Sequence, residues 1–256
     1  MTEYANGVPS WVDLSSPDVD ASVAFYGGLF GWDLQSGGPE AGGYGMFLLR
    51  GKMVAGVGPI QDPNQPPVWS TYVNVDDADV TVKAARDVGA TVFVEPMDVM
   101  DAGRMAIFAD PTGAVIGVWQ PGMHRGAQLV NEPGTFCWNE LNTRDPDKAK
   151  AFYADVFGWE AETQTMGEGG PSYTEFKVGG KSVAGMMDIR GRVPDDVPAH
   201  WLVYFAVEDT DETVATATRQ GGMTFVPATD IPPGRFAVLG DPQGAAFAVI
   251  KMQPMA

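Results

Sequence analysis

The pattern of apolar and polar positions runs through the chain twice. Residues 11–32 read WVDLSSPDVDASVAFYGGLFGW and residues 138–159 read WNELNTRDPDKAKAFYADVFGW, with the same Trp-to-Trp spacing and FY at the same place. Each copy opens on a short alternating run. Trp11, Asp13 and Ser15 share one face, as do Trp138, Glu140 and Asn142, because strand side chains alternate with period two. A helix follows: Ala149, Phe152, Tyr153 and Phe157 form an apolar stripe, matched by Ser22, Phe25, Tyr26 and Phe30. Asp145 suits an N-cap with Pro146 at the first helical position, where its missing N–H costs nothing, and Gly31 and Gly158 end the two helices.

Strands broken by glycine turns come next, over Tyr44–Arg50 and Val54–Gly58 in one copy and Tyr173–Val178 and Ser182–Met187 in the other. Pro-rich polar linkers at Gln61–Pro67 and Arg192–Pro198 divide each repeat into two modules. The second modules begin with strands Trp69–Val75 and Trp201–Val207. Helices near Asp77–Val88 and Thr210–Gln220 follow, then strands at Thr91–Val94 and Thr224–Val226, then two more strands. The last two are joined by the turns Asp110-Pro111-Thr112-Gly113 and Asp241-Pro242-Gln243-Gly244. The reading is an α+β protein of four βαβββ modules forming two curved, partly closed sheets. The repeat is about 125 residues long. Its expected domains are residues 1–122 and 134–256, joined by a linker at 123–133. Eight strands per domain are enough to enclose side chains or one small ligand.

Composition narrows the partners. The formal net charge of −17 with 16 Lys+Arg repels phosphate backbones, so nucleic acid is not expected, and acidity also serves solubility. A single cysteine, Cys137, excludes an internal disulfide framework. No apolar run reaches ~18 residues, and MTEYANG carries neither a basic segment nor an apolar stretch. A cytoplasmic monomer or homodimer with no membrane contact is the expectation.

The segments SSPDVDASVAFYGGLFGW, TRDPDKAKAFYADVFGW, GRMAIFADPTGAVIGVW and GRFAVLGDPQGAAFAVI resemble the glyoxalase/bleomycin resistance/extradiol dioxygenase superfamily, the vicinal oxygen chelate proteins. The resemblance covers nearly the whole chain. It closely resembles two-domain glyoxalase-like proteins of actinobacteria, a group that includes a mycobacterial secreted antigen and members with a provisional hydroxylase label. The resemblance implies tandem glyoxalase-like domains. It also implies metal ligands (His, Gln or Glu) at the start of each module's first strand, and a Glu in the last strand beyond the DPxG turn. This chain has Trp11, Trp69, Trp138 and Trp201 at the first-strand positions, with Gly117 and Ala248 in the last strands. Indole nitrogen is a donor only, so none of the six offers a side-chain ligand atom. No metal or other cofactor is therefore expected. The two histidines, His124 in the linker and His200 before a strand, are too far apart in sequence to suggest a triad.

With the superfamily's geometry, the four tryptophans face the sheet cavities, as walls for a planar ligand or as fillers of the vacated volume. Asp13 and Glu140 occupy equivalent positions beside Trp11 and Trp138, where a half-dry cavity suits a carboxylate to acid–base work, to binding a ligand, or to a structural polar network. Thr71, Asn142 and Tyr204 add polar contacts, and Tyr44 and Tyr173 stand at matched positions near the cavity mouths. Arg104 and Arg235 are expected to pair with Asp110 and Asp241 in preference to an acidic substrate. Met46, Met100, Met105, Met166, Met186 and Met187 add soft apolar surface. Three functions stay open. The chain is a metal-independent binder of a small hydrophobic or aromatic molecule, a metal-independent lyase, isomerase or hydrolase of a secondary metabolite using Asp13 or Glu140, or a non-catalytic structural or regulatory protein.

Overall fold

The computed structural model describes residues 3–62, 64–165 and 172–253. Met166 and one residue of the first Pro-rich linker lie outside them. In the first repeat the elements run β1 (Pro9–Ser16), α1 (Val19–Phe30), β2 (Asp33–Ser36), β3 (Gly45–Leu49), β4 (Lys52–Pro59), β5 (Val68–Asn74), α2 (Ala78–Asp87), β6 (Thr91–Val99), β7 (Gly103–Ala109) and β8 (Val115–Pro121). In the second they run β9 (Phe136–Thr143), α3 (Pro146–Phe157), β10 (Glu160–Thr165), β11 (Ser172–Val178), β12 (Lys181–Asp188), β13 (His200–Ala206), α4 (Thr210–Arg219), β14 (Met223–Ile231), β15 (Gly234–Gly240) and β16 (Ala246–Met252). The βαβββ order holds four times.

Two eight-stranded sheets result, β2-β3-β4-β1-β5-β8-β7-β6 and β10-β11-β12-β9-β13-β16-β15-β14. Neither order closes on itself, so there is no closed barrel. The caps follow the sequence. Asp18 and Asp145 accept from the N–H groups of Ala21 and Lys148, and Gly31 and Gly158 take left-handed φ of 72° and 69° at the helix ends. Strands β6 and β14 are longer than their apolar cores suggest. Pro96 and Pro227 interrupt the pattern, yet both sit where the register shifts on an edge strand, the position that tolerates a residue without an N–H.

The sheets follow the repeats, but compactness does not. One unit gathers residues 1–11, 71–126 and 138–202, and the other gathers residues 12–70, 127–137 and 203–256. Each unit therefore takes one module from each repeat. In the first, α2 packs against α3 over a core that includes Val73, Phe108, Leu141, Phe152, Phe176 and Trp201. In the second, α1 packs against α4, with Phe30, Trp32, Trp69, Phe205 and Phe247 in ring contact. Among the described residues no helix is long and apolar enough to cross a membrane.

Candidate functional site

The helix-packed sides of the sheets carry two matched polar chains. Trp201 Nε1–H donates to the Tyr153 hydroxyl at 2.9 Å, and that hydroxyl donates to Asp110 Oδ2 at 2.8 Å. In the other unit Trp69 donates to Tyr26 at 2.9 Å and Tyr26 to Asp241 at 3.1 Å. Each aspartate also closes its own turn. Asp110 Oδ1 accepts from Thr112 N, Thr112 Oγ1 and Ala114 N, and Asp241 Oδ1 accepts from Gln243 N and Ala245 N. Burial, then the aspartate charge, hold both tyrosine hydroxyls well above their usual pKa. The FY and DPxG motifs thus meet across repeats: the tyrosine of one copy is bonded to the aspartate of the other.

This arrangement corrects the expectation for Trp69, Trp201 and Thr71. All three sit on the helix-packed side, because Trp69, Thr71 and Val73 alternate with Ser70 and Tyr72 along β5. Thr71 Oγ1–H donates to Asn139 Oδ1 at 2.8 Å between two buried residues. The arginines also differ from expectation. Arg104 pairs with Asp79 and Asp98, and Arg235 with Asp211 and Asp230, since Asp110 and Asp241 are already committed to tyrosines.

The opposite, helix-free faces hold the remaining candidates. On β1 Asp13 lies opposite Gly56 of β4, and the Tyr44 hydroxyl donates to Asp13 Oδ2 at 3.1 Å. On β9 Glu140 lies opposite Gly185 of β12. Tyr173 hydrogen-bonds to Glu140 there and accepts from Trp138 Nε1–H at 2.9 Å. Both glycines are required: a Cβ at Gly56 or Gly185 would fall inside the hydroxyl of Tyr44 or Tyr173. Asn142 Nδ2–H reaches Glu140 Oε1 at 3.5 Å, and burial followed by the Glu140 charge pushes the Tyr173 hydroxyl far above its usual pKa. Tyr204, also on a helix-free face, stacks on Phe236 at 6.3 Å and lies opposite Ala248.

The two first-strand tryptophans differ in exposure. Trp11 is 3% exposed and covered by His124, whereas Trp138 is the one indole of seven that is not buried. Sequence reasoning set His124 aside as a linker residue; its ring is in fact 8% exposed. The nearby signal was its place just after β8, the strand that carries Trp119. His200 stays near the surface, its Nδ1 2.9 Å from Pro198 O. Cys137 is no nucleophile at neutral pH, because burial pushes its thiol up to about 12.

The donor set does not suit the metal that the superfamily's positions imply. Gly117 and Ala248 have no donor and stand opposite the rings of Tyr72 and Tyr204. Trp11 and Trp138 offer only N–H. Among the described residues no three His, Cys, Asp or Glu side chains gather to hold an ion. What the Trp138–Tyr173–Glu140 chain can do is orient hydrogen-bond acceptors next to an accessible aromatic surface.

The family described as the Glyoxalase/Bleomycin resistance protein/Dioxygenase superfamily matches residues 9–118 and 125–249. A Mycobacterium tuberculosis protein carried under the provisional name glyoxylase CFP32 is 44% identical over 259 residues, covering 99% of this chain and 98% of its own. The anthracycline biosynthesis protein DnrV of Streptomyces peucetius is 40% identical over 269 residues, covering 99% and 96%. Among solved structures, the Mn(II)-bound glyoxalase of Novosphingobium aromaticivorans superposes with a TM-score of 0.63 at 14% identity, covering 98% of this chain and 86% of its own. At that identity the likeness is one of fold.

Proposed function

We propose that this chain, which belongs to the Glyoxalase/Bleomycin resistance protein/Dioxygenase superfamily, binds a small planar aromatic molecule against Trp138, without a metal. The observation that carries the reading is the Trp138–Tyr173–Glu140 chain on a helix-free face, beside the only indole left accessible. The indole supplies a stacking surface and the Glu140 carboxylate an acceptor for a ligand hydroxyl. Asn142 holds that carboxylate in place. The relative named for anthracycline biosynthesis points to polycyclic, hydroxylated aromatics as the first class to try. Asp13 and Tyr44 repeat the acid–tyrosine pair in the other copy and take the same role there, beside a tryptophan, Trp11, that is buried.

The test is a fluorescence titration with a dihydroxyanthraquinone, with and without chelator. Quenching that survives chelator and is lost in Trp138→Phe is the expected result. Quenching that depends on an added divalent metal, or that is unchanged in Trp138→Phe, rules the reading out. A second reading, proton transfer by Glu140, is favoured by the proton that Tyr173 holds against it. It requires a substrate whose turnover disappears in Glu140→Gln while binding persists.

A further inference from the structure

An open groove of about 650 Å³ lies where α2 ends, β6 begins and the turn at residues 110–113 meets the first turn of α3. That volume falls within the range of about 300–1,000 Å³ that small-molecule sites occupy. Val88, Phe93 and Pro111 give the groove apolar walls, and Phe93 is 60% exposed. Two charged side chains line it, Asp110 and Lys148. The aspartate is spent: Oδ1 accepts three hydrogen bonds from its own turn, and Oδ2 accepts from Tyr153. The lysine is not. Among the described residues no carboxylate pairs with its ammonium, because Asp147 pairs with Lys150, Asp87 with Lys83, and Asp145 caps α3.

The matched corner of the other unit is filled. Strand register aligns the two corners, since Thr91 pairs with Ala109 as Met223 pairs with Gly240. Gly89 also faces Pro111 as Gly221 faces Pro242. In the filled corner Gln243 takes the place of Thr112. Its amide accepts from Ser16 Oγ at 2.8 Å and donates to Asp18 O at 2.8 Å and Ser22 Oγ at 3.1 Å. Gln220 takes the place of Val88, and a Cβ at Gly28 would meet its amide at 2.8 Å. Met223 takes the place of Thr91, and Ala21 that of Lys148. Thr112, by contrast, turns its hydroxyl back onto Asp110 at 2.7 Å. Shorter side chains at three positions open the groove, and the same corner gains a cation.

We propose that this groove is a ligand site for a small aromatic carboxylate, whose ring lies against Val88 and Phe93 and whose carboxylate pairs with Lys148. Charge selects the guest. The one uncommitted charge on the lining is positive, on a chain whose formal net charge is −17. A neutral aromatic gains the walls alone, and a cationic one meets the ammonium. The site shares no residue with the Trp138 face and does not depend on it.

Isothermal titration of the intact chain with naphthoate and with its methyl ester tests the site, alongside backbone nitrogen-15 spectra. The expected result is one bound equivalent of naphthoate, weakened about fivefold in Lys148→Gln and weakened by salt, while the ester binds both chains equally. Thr112→Gln and Thr91→Met, which copy the filled corner, are each expected to lose naphthoate. On the unmodified chain the Gly89 and Gly113 amide signals shift with naphthoate, and Trp138→Phe binds it as the parent does. A parent chain that binds no naphthoate overturns the site, as does unchanged affinity in Lys148→Gln or in both filling variants. Loss of naphthoate in Trp138→Phe, with the two glycine signals still, puts the probe on the Trp138 face; the groove is then overturned and the earlier reading stands. If naphthoate behaves as expected and dihydroxyanthraquinone does not bind, the groove stands without that reading. The glycine signals decide the matter even where a filling variant fails to fold.

Discussion

The same three residue types, tryptophan, tyrosine and an acid, are assembled twice within one compact unit, to opposite effect. In Trp201–Tyr153–Asp110 the acid sits in a turn whose backbone N–H groups converge on it, and every member is buried. In Trp138–Tyr173–Glu140 the acid sits in mid-strand, where backbone groups are engaged in the ladder, and the indole keeps some exposure. A chain of hydrogen bonds becomes a brace when its acceptor is saturated by its own backbone. Around Glu140 the acceptor is held by side chains instead, beside an indole that is only partly buried.

The sharpest way to break this contrast is at the acids. Asp110→Ala strands the Tyr153 hydroxyl and the Thr112 and Ala114 N–H groups, and is expected to cost on the order of 4 kcal/mol in urea unfolding. Glu140→Gln is expected to cost under about 1 kcal/mol. Equal losses would erase the distinction.

The next effect is one of pH and separates Trp11 from Trp138. Burial lowers His124 from 6.5 to about 4. The unfolded chain therefore binds more protons than the folded one between those values. Stability is full above about pH 6.5 and falls as pH drops, by about 3 kcal/mol once below pH 4. His124→Phe should remove that part of the acid slope in pH-dependent unfolding. An unchanged slope would place the imidazole in contact with water.

A smaller effect distinguishes the tryptophans. Trp201→Phe loses a buried hydrogen bond and volume, with about 2 kcal/mol expected, against under about 1 kcal/mol for Trp138→Phe. Smallest in stability is Tyr173→Phe, at a few tenths of a kcal/mol, with probe affinity reduced about tenfold because Glu140 loses its orienting donor. Isothermal titration of a hydroxylated anthraquinone checks it, and an unchanged affinity would detach the tyrosine from the site.

The fold was legible because its signals are local. Asp145, Gly31 and Gly158 cap the helices they were expected to cap, and the alternation of Trp138, Glu140 and Asn142 puts them on one strand face. The limits of β6 and β14 were not legible, because Pro96 and Pro227 read as breaks and only their edge position makes them tolerable. The tryptophans were misread as a set of four. Trp11 and Trp138 belong to the first module of each repeat and Trp69 and Trp201 to the second, and the phase of alternation differs between them: Trp69 and Trp201 face helices.

The sequence by itself determined the four modules, their caps and turns, and the loss of donor side chains at positions such as Gly117 and Ala248. Those depend on spacing and residue type within a few neighbours. Tertiary structure alone decided that FY tyrosines are bonded to the DPxG aspartates of the other repeat. It also decided that His124 closes over Trp11 while Trp138 stays accessible. Each of these depends on which buried surface meets which, over 43 residues of chain for Tyr153 and Asp110 and 215 for Tyr26 and Asp241, and hydrophobic burial, being non-directional, writes no such address into a local pattern.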